Sequence, residues 1–229
     1  MNTAKLAASI VFFGTLCFGG EFKIIRAHGD ISIRHNVQEE WVKAAATDVL
    51  KPDDSMKSGK GSGATLLVEN GRKVEVPELV VVDLADLRQL TQEELLLKLA
   101  TDRILNAPPQ KEGDAPVLKS TTTVGSNMEE SAVPQSANAE LGRLQLNGTR
   151  LLYRVGYYAT CVLKSKDIFR LYPSLADDMD ARIMVADALE KMHLRGEAQG
   201  EYLSIPKGRL SASQKSDVDA ALARLKKKS

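Results

Sequence analysis

Alternating apolar and polar residues in the first half of the chain predict short β-strands. Ile31 and Ile33 fall on one side of such a strand, with polar residues between and after them. Residues 64–69 form a second strand and lead into Asn70 and Gly71, a strong hairpin signal because both residues tolerate positive φ. Strand-like alternation resumes after this turn. We therefore expect a small antiparallel sheet held together by hairpins.

A nearly continuous apolar run follows the hairpin and predicts a strand that is buried on both faces. This run covers residues 79–84 and comes after Pro77, which cannot continue a central strand. A helix is predicted next, because Thr91 and Glu94 have the spacing of a capping box. The leucines of this helix should face either the sheet or the second half of the chain.

Apolar residues recur every three or four positions in the second half of the chain, which predicts amphipathic helices. The stripes are formed by Leu144, Leu151, Leu152, Val155, Tyr158, Val162, Ile168, Phe169, Tyr172, Ile183, Ala186, Leu189, Met192 and Leu194. We expect at least three helices here, the second of them ended by Pro173. A short helix with Ala198 and Tyr202 and an amphipathic helix at residues 213–229 complete this part.

Between the two patterned regions lies a stretch rich in Pro, Ser, Thr and Gly without an apolar period. Such a composition buries too little apolar surface to order itself. The predicted fold class is α+β with two domains, a small antiparallel β-sandwich or barrel-like sheet followed by an all-α domain. The predicted boundaries are 1–20 for a signal peptide, 21–106 for the β-domain with its C-terminal helix, 107–138 for a flexible linker and 139–229 for the helical domain.

The first twenty residues have the pattern of a signal peptide. Lys5 gives the positive start, residues 6–18 form an apolar run of suitable length, and cleavage is expected after Gly19 or Gly20. The run is shorter than the roughly 20 residues that cross a bilayer, although an uncleaved anchor remains the alternative. Residues 14 and 16 do not fit the lipidation motif that Cys17 would require. We therefore expect a periplasmic or secreted protein.

Composition and charge narrow the classes of partner. The 229 residues carry a formal net charge of only +1, and aromatic residues make up 5%, which argues against nucleic-acid binding. The β-domain has 12 basic and 15 acidic residues, whereas the helical domain has 16 and 11. This opposite sign would help the two domains dock, or would place the helical domain on an anionic surface.

The sequence offers no catalytic, cofactor-binding or metal-binding constellation. Gly59 and Lys60 look like the start of a phosphate loop, but Gly61 follows the lysine and a strand follows the loop. Adjacent Asp53 and Asp54 are too few for a calcium site and are expected to be solvated. Cys161, the single cysteine left after cleavage, is predicted to lie in the core. The three histidines, His28, His35 and His193, do not have the spacing of metal ligands.

The β-rich part contains a series of motifs in a fixed order. They are Gly29-Asp30-Ile31-Ser32-Ile33, Trp41, Asp48-Val49-Leu50, Asp53-Asp54-Ser55-Met56-Lys57-Ser58-Gly59, Ser62-Gly63-Ala64-Thr65-Leu66-Leu67-Val68-Glu69-Asn70-Gly71 and Val74-Glu75-Val76. This order resembles the FecR domain family, with Asp53, Ser58 and Asn70 as mild departures from its pattern. The resemblance implies an envelope β-module with Trp41 packed against the sheet. The anti-sigma role of the best-known members is not expected, because no sigma-binding domain precedes the β-module here.

The helical part resembles degenerate tetratricopeptide repeats. Tyr158, Cys161 and Pro173 match one unit, while Ala198 and Tyr202 match the next, and Cys161 and Ala198 stand 37 residues apart against about 34 in that repeat class. A plain helical bundle would have the same packing. Taken together, these features predict a non-catalytic binding or assembly module whose partner is an envelope protein or a glycan. A membrane-retained signalling component and an accessory enzyme with an unrecognised site are the alternatives.

Overall fold

The structure, a computed structural model, describes residues 22–36, 40–68, 71–105 and 135–226. The predicted signal peptide at residues 1–20 and most of the predicted linker lie outside the described residues. The last four residues of that linker, 135–138, form the first turn of a long helix instead. Asn70 of the predicted hairpin also lies outside the described residues.

The first half of the described chain forms two antiparallel sheets of four strands each. Their orders are β4-β1-β6-β7 and β3-β2-β5-β8. The strands are β1 (Phe22–His28), β2 (Ile31–Arg34), β3 (Val42–Lys43), β4 (Val49–Leu50), β5 (Ser55–Ser58), β6 (Gly63–Leu67), β7 (Lys73–Val76) and β8 (Val80–Asp83). The predicted antiparallel β-region is therefore confirmed.

Only some consecutive strands pair with each other. β6 and β7 form the predicted hairpin, with Leu67 opposite Lys73, and β2 pairs with β3. The turn at Gly29 instead carries the chain from β1 in one sheet to β2 in the other. Gly29 has φ +75°, and an added Cβ would lie 2.4 Å from the hydroxyl oxygen of Ser62. Two sheet-switching turns thus pack against each other, which requires glycine at this position.

The inner faces of the two sheets share one apolar core. Ile31 and Ile33 are buried on the side that their alternation predicted, and so are Val74 and Val76 of the hairpin. The run predicted to be buried on both faces is confirmed in β8, where all three valines are at most 4% exposed, but the prediction is wrong for Leu79, which precedes the strand and is 41% exposed. Because β8 is the edge strand of its sheet, burial of its valines on both faces requires that another element of the fold covers its outer face.

The second half of the described chain is helical. The helices are α1 (Gln92–Leu105), α2 (Gln135–Arg154), α3 (Tyr158–Leu171), α4 (Met179–Lys191), α5 (Arg195–Ser204) and α6 (Ala212–Lys226), with short 3₁₀ turns at Leu84–Asp86, Pro173–Asp177 and Lys207–Arg209. The helical periodicity of the sequence is therefore confirmed, and Pro173 does follow the end of α3. The molecule is an α+β protein with a β-region and a helical region.

Helix α2 covers the sandwich at edge strand β8. Leu151 and Leu152 of α2, together with Tyr157 and Cys161, belong to the same apolar cluster as the inner faces of the sheets. The Asn147 side chain donates to the carbonyl of Leu79 at 2.8 Å. The two regions are thus joined by a continuous core in addition to surface contacts.

Helix α1 begins with the predicted capping box. The backbone N–H of Glu94 donates to the hydroxyl of Thr91 at 3.1 Å, and the N–H of Thr91 donates to the carboxylate of Glu94 at 2.8 Å. Of the two packing partners left open by the sequence, the helical region is the one observed. Leu95 and Leu99 lie in the apolar cluster of α3 to α6, so this helix extends the helical region.

Candidate functional site

A groove runs over one face of the helical region and is the candidate binding site. It has a volume of about 480 Å³. Its lining residues come from α2, α4, α5 and α6 and are Tyr153, Asp180, Ile183, Met184, Asp187, Lys191, Tyr202, Asp217, Ala220, Ala221 and Arg224. We refer to this feature as the helical groove.

Helical spacing places these residues on common faces. Asp180, Met184, Asp187 and Lys191 recur every three or four positions along α4, so they lie along one side of the helix. The opposite side of α4 is buried in the helical core through Ala181, Val185, Ala188 and Leu189. Helix α4 thus has one side buried in the core, and its polar, partly exposed side lines the helical groove.

Hydrogen bonds between neighbouring helices fix the width of the helical groove. The hydroxyl of Tyr153 on α2 donates to Asp187 on α4. The amide of Gln214 on α6 donates to Asp180 at 2.6 Å. Nε and Nη2 of Arg224 each donate to Glu190 at 2.8 Å. Each of these three pairs joins residues 34 positions apart, so α2 contacts α4 and α4 contacts α6 at the same sequence separation.

The turns after α2 and α4 have the same geometry. Gly156 has φ +86° and His193 has φ +62°. The N–H of the next residue donates five residues back in both turns, from Tyr157 to Leu152 at 2.9 Å and from Leu194 to Leu189 at 3.0 Å. This is the Schellman arrangement of a helix end. Equivalent residues of the two turns are 37 positions apart, the same separation that relates Cys161 to Ala198.

The charged groups of the groove suit recognition better than proton transfer. The pKa of Tyr153 is raised by burial and by Asp187, so its hydroxyl stays protonated and donates a hydrogen bond. Arg224 lowers the pKa of Glu190, which keeps that carboxylate ionised. Lys191 lies 3.7 Å from Asp187. The arrangement offers hydrogen-bond donors, carboxylates and apolar surface.

A second concentration of charge lies where β8 meets the helical region. The ammonium of Lys164 on α3 is 2.9 Å from the carboxylates of Asp83 and Asp86; we call these three residues the Lys164 cluster. Burial raises the pKa of Asp86 to about 6, although Lys164 acts in the opposite direction. Burial alone would lower the pKa of Lys164, but the two carboxylates raise it. Lys164 therefore links α3 to the end of β8 through two ion pairs, and the Lys164 cluster clamps these elements together.

Residues that the sequence analysis singled out lie apart from the helical groove. Cys161 is fully buried as predicted, and burial raises the pKa of its thiol to about 12. The prediction that Asp53 and Asp54 are both solvated is wrong for Asp54, which is 3% exposed. Its carboxylate accepts the N–H of Lys51 at 2.8 Å and lies 3.0 Å from Nδ1 of His35.

Trp41 lies on the outer face of the second sheet, outside the apolar core. Its ring is half-buried. The guanidinium carbon of Arg34 is 5.1 Å from the ring centroid, and the ammonium of Lys57 is 5.5 Å from it. The indole ring therefore packs against the sheet through two cationic side chains. These stacked contacts should account for most of its contribution to the free energy of unfolding.

The polar groove residues Tyr153, Asp187 and Arg224 were missed because the sequence analysis followed the apolar stripes alone, which include Ile183 of the same groove. A usable signal was present in the polar residues that interrupt helical faces at a constant separation. Tyr153 and Asp187 differ by 34 positions, and so do Glu190 and Arg224. Such a constant offset between polar residues indicates stacked helices whose polar faces meet.

Searches for other site types and for relatives gave no match. Within the described residues, no cluster of three or more His, Cys, Asp or Glu side chains could hold a metal ion. The same part of the chain contains no helix that is long and apolar enough to cross a bilayer. A scan against models of protein families, a search of curated proteins and a search of solved structures each found no match.

Proposed function

We propose that this protein is a non-catalytic binding module of the bacterial envelope, in which the helical groove receives a segment of a partner protein. The observation that carries the proposal is the preformed groove itself. Ile183 and Met184 supply half-buried apolar surface, and hydrogen-bonded polar side chains surround them. A site that is already ordered before binding loses little conformational entropy when its partner arrives.

Family resemblance supports the same class of function. The motif order in residues 29–76 is FecR-like, and two four-stranded sheets are compatible with such an envelope module. The matching turns at Gly156 and His193 and the constant offset of 34 residues support tetratricopeptide-like repeats. In stacks of this kind, the first helices of successive hairpins form a continuous surface, which corresponds here to α2, α4 and α6.

A protein partner fits the surface better than a glycan does. Glycans are usually bound on open aromatic faces, and the one tryptophan of the chain is Trp41. Arg34 and Lys57 already stack on its ring, so little of the ring is free for a sugar. The helical groove combines carboxylates, a tyrosine donor and adaptable methionine surface, which are groups that recognise peptide side chains.

Site-directed photo-crosslinking tests the proposed function. A photoreactive residue placed at Ala220, an exposed position in the groove, should capture a discrete partner in intact cells of the native host. The matched control position is Gly200 on α5, which is exposed and has no neighbour within 4 Å. Equal capture from both positions, or capture from Gly200 alone, would refute the groove as the binding surface.

Export is tested separately. The positive start and the short apolar run of residues 1–20 motivate the proposal that the mature protein is periplasmic or secreted. Mass spectrometry of the protein from its native host should find an N-terminus near Gly20 or Glu21. An intact Met1 in the membrane fraction would support the membrane-retained alternative instead.

A further inference from the structure

We infer that the helical groove selects a basic segment, with Lys or Arg side chains of the partner binding Asp180 and Asp217. This inference rests on the proposed function and names the chemistry of the partner. It follows from which charges in the groove are already paired and which are open to a ligand.

The cations of the groove are neutralised within the protein. Arg224 makes two hydrogen bonds of 2.8 Å to Glu190, a fork geometry that occupies both carboxylate oxygens. Lys191 lies 3.7 Å from Asp187. An acidic ligand would have to displace these carboxylates, so the groove is poorly suited to anions.

Within the described residues, two carboxylates of the groove have no cationic partner. Among the described residues, Asp180 accepts a hydrogen bond from the neutral amide of Gln214 at 2.6 Å, which orients the carboxylate without pairing it with a cation. Asp217 follows Gln214 by three positions on α6 and therefore lies one turn along the same face. In the described part of the chain, no basic side chain is within ion-pair distance of Asp180 or Asp217.

Apolar surface lies next to these carboxylates. Ile183 and Met184 follow Asp180 by one helical turn, and Ala220 follows Asp217 by a similar distance. A fitting ligand therefore carries a Lys or Arg side chain about one turn, roughly 5 Å, from an apolar side chain. This pattern describes a short basic and amphipathic stretch of a protein.

The test uses three fluorescent peptides that share one framework of Leu and Ala and carry Lys, Gln or Glu at the same positions. Binding to the full chain is measured by anisotropy. Exposed ion pairs contribute about 0.2–1 kcal/mol each, so two such pairs should make the Lys peptide bind about tenfold more tightly than the Gln peptide. The preference should shrink as salt is added, because salt screens exposed charges.

Charge-matched variants assign the preference to the two carboxylates. Asp180→Asn with Asp217→Asn keeps an acceptor for Gln214 and should make the Lys and Gln peptides bind equally. Asp53→Asn with Glu93→Gln removes the same charge from exposed positions outside the groove and should keep the preference. Circular dichroism verifies that each variant is folded.

The failure of this inference differs from the failure of the proposed function. A preference that survives Asp180→Asn with Asp217→Asn, or tighter binding of the Glu peptide, would overturn the basic ligand. If all three peptides bind equally and Ala220→Trp abolishes binding, the groove is still the binding surface but the preference for a basic ligand is refuted. If Ala220→Trp changes no binding, or no peptide binds, the proposed function falls as well.

Discussion

Gly148 is the residue at which the helical region comes closest to the sandwich. A Cβ added to it would lie 2.2 Å from the carbonyl oxygen of Val81 in β8, well inside van der Waals contact. Glycine in a helix interior usually lowers stability by about 1 kcal/mol relative to alanine. Its presence in α2 is therefore explained by the close approach of helix and strand.

We predict that Gly148→Ala destabilises the protein by about 1–3 kcal/mol, the usual cost of overpacking a close contact. Gly200→Ala is the matched control, because nothing lies within 4 Å of its Cβ position in α5, and it should stabilise by about 0.5–1 kcal/mol. Chemical denaturation of the two variants measures both values. Equal effects of the two substitutions would mean that α2 does not approach β8 this closely.

Trp41 gives a second prediction at the scale of a single residue. Removal of a buried aromatic side chain costs roughly 3–5 kcal/mol, whereas Trp41 is half-buried between Arg34 and Lys57. Two exposed cation–π contacts contribute about 0.5–1 kcal/mol each. Trp41→Ala should therefore lower the free energy of unfolding by about 1–2 kcal/mol. A loss of 4 kcal/mol or more would indicate a ring buried in the core.

At the scale of elements, the Lys164 cluster clamps the end of β8 to α3 and makes this contact sensitive to pH. The pKa of Asp86 rises from 3.8 to about 6 in the folded protein. Between these values the folded state binds more protons than the unfolded state, so this carboxyl's contribution to stability is lost as pH rises from about 4 to 6.

We predict that Asp86→Asn removes this loss, because asparagine mimics the protonated carboxyl. Relative to the unchanged protein, the variant should gain roughly 2–3 kcal/mol of unfolding free energy as pH rises from about 4 to 7, since each pKa unit corresponds to about 1.4 kcal/mol. Denaturation at a series of pH values measures this difference. Asp53→Asn controls for net charge, and a difference that is independent of pH would contradict the raised pKa.

Elements that depend on neighbouring residues could be predicted from the sequence, but the elements against which they pack could not. Neighbouring residues determine three of these features. They are the capping box at Thr91, the β6–β7 hairpin with Gly71 in its turn, and the end of α3 before Pro173. The sheet switch at Gly29 and the packing of α1 on the helical region depend on contacts between distant residues. The helical groove was missed for the same reason, since α2, α4 and α6 contribute to it together.

At the scale of the whole molecule, the β-region and the helical region share a core. Leu151, Leu152 and Tyr157 pack among residues of both sheets, so apolar burial holds the regions together in addition to the Lys164 cluster. From the sequence, the opposite charge of the two regions was expected to help them dock. Apolar contacts differ from ion pairs in that salt does not weaken them.

Cleavage between α1 and α2 tests the contacts that hold the molecule together, because it leaves the sandwich and α1 in one fragment and α2 to α6 in the other. Trypsin should cut at Lys111 or Lys119, in the segment rich in Pro, Ser and Thr. We predict that the two fragments elute as one species from a gel-filtration column at both low and high salt. Separation at high salt would indicate docking through surface charge, and separation at low salt would indicate independent domains.

The central claim is that the sandwich and the helical region form one folding unit, which holds the helical groove in a fixed position. Equilibrium unfolding followed by two probes tests it most directly, with Trp41 fluorescence reporting on the sandwich and ellipticity at the helical band reporting on α1 to α6. A single folding unit predicts coincident transitions with the same midpoint and slope. Two separated transitions would contradict the claim, because they would show that the helical region unfolds without the sandwich.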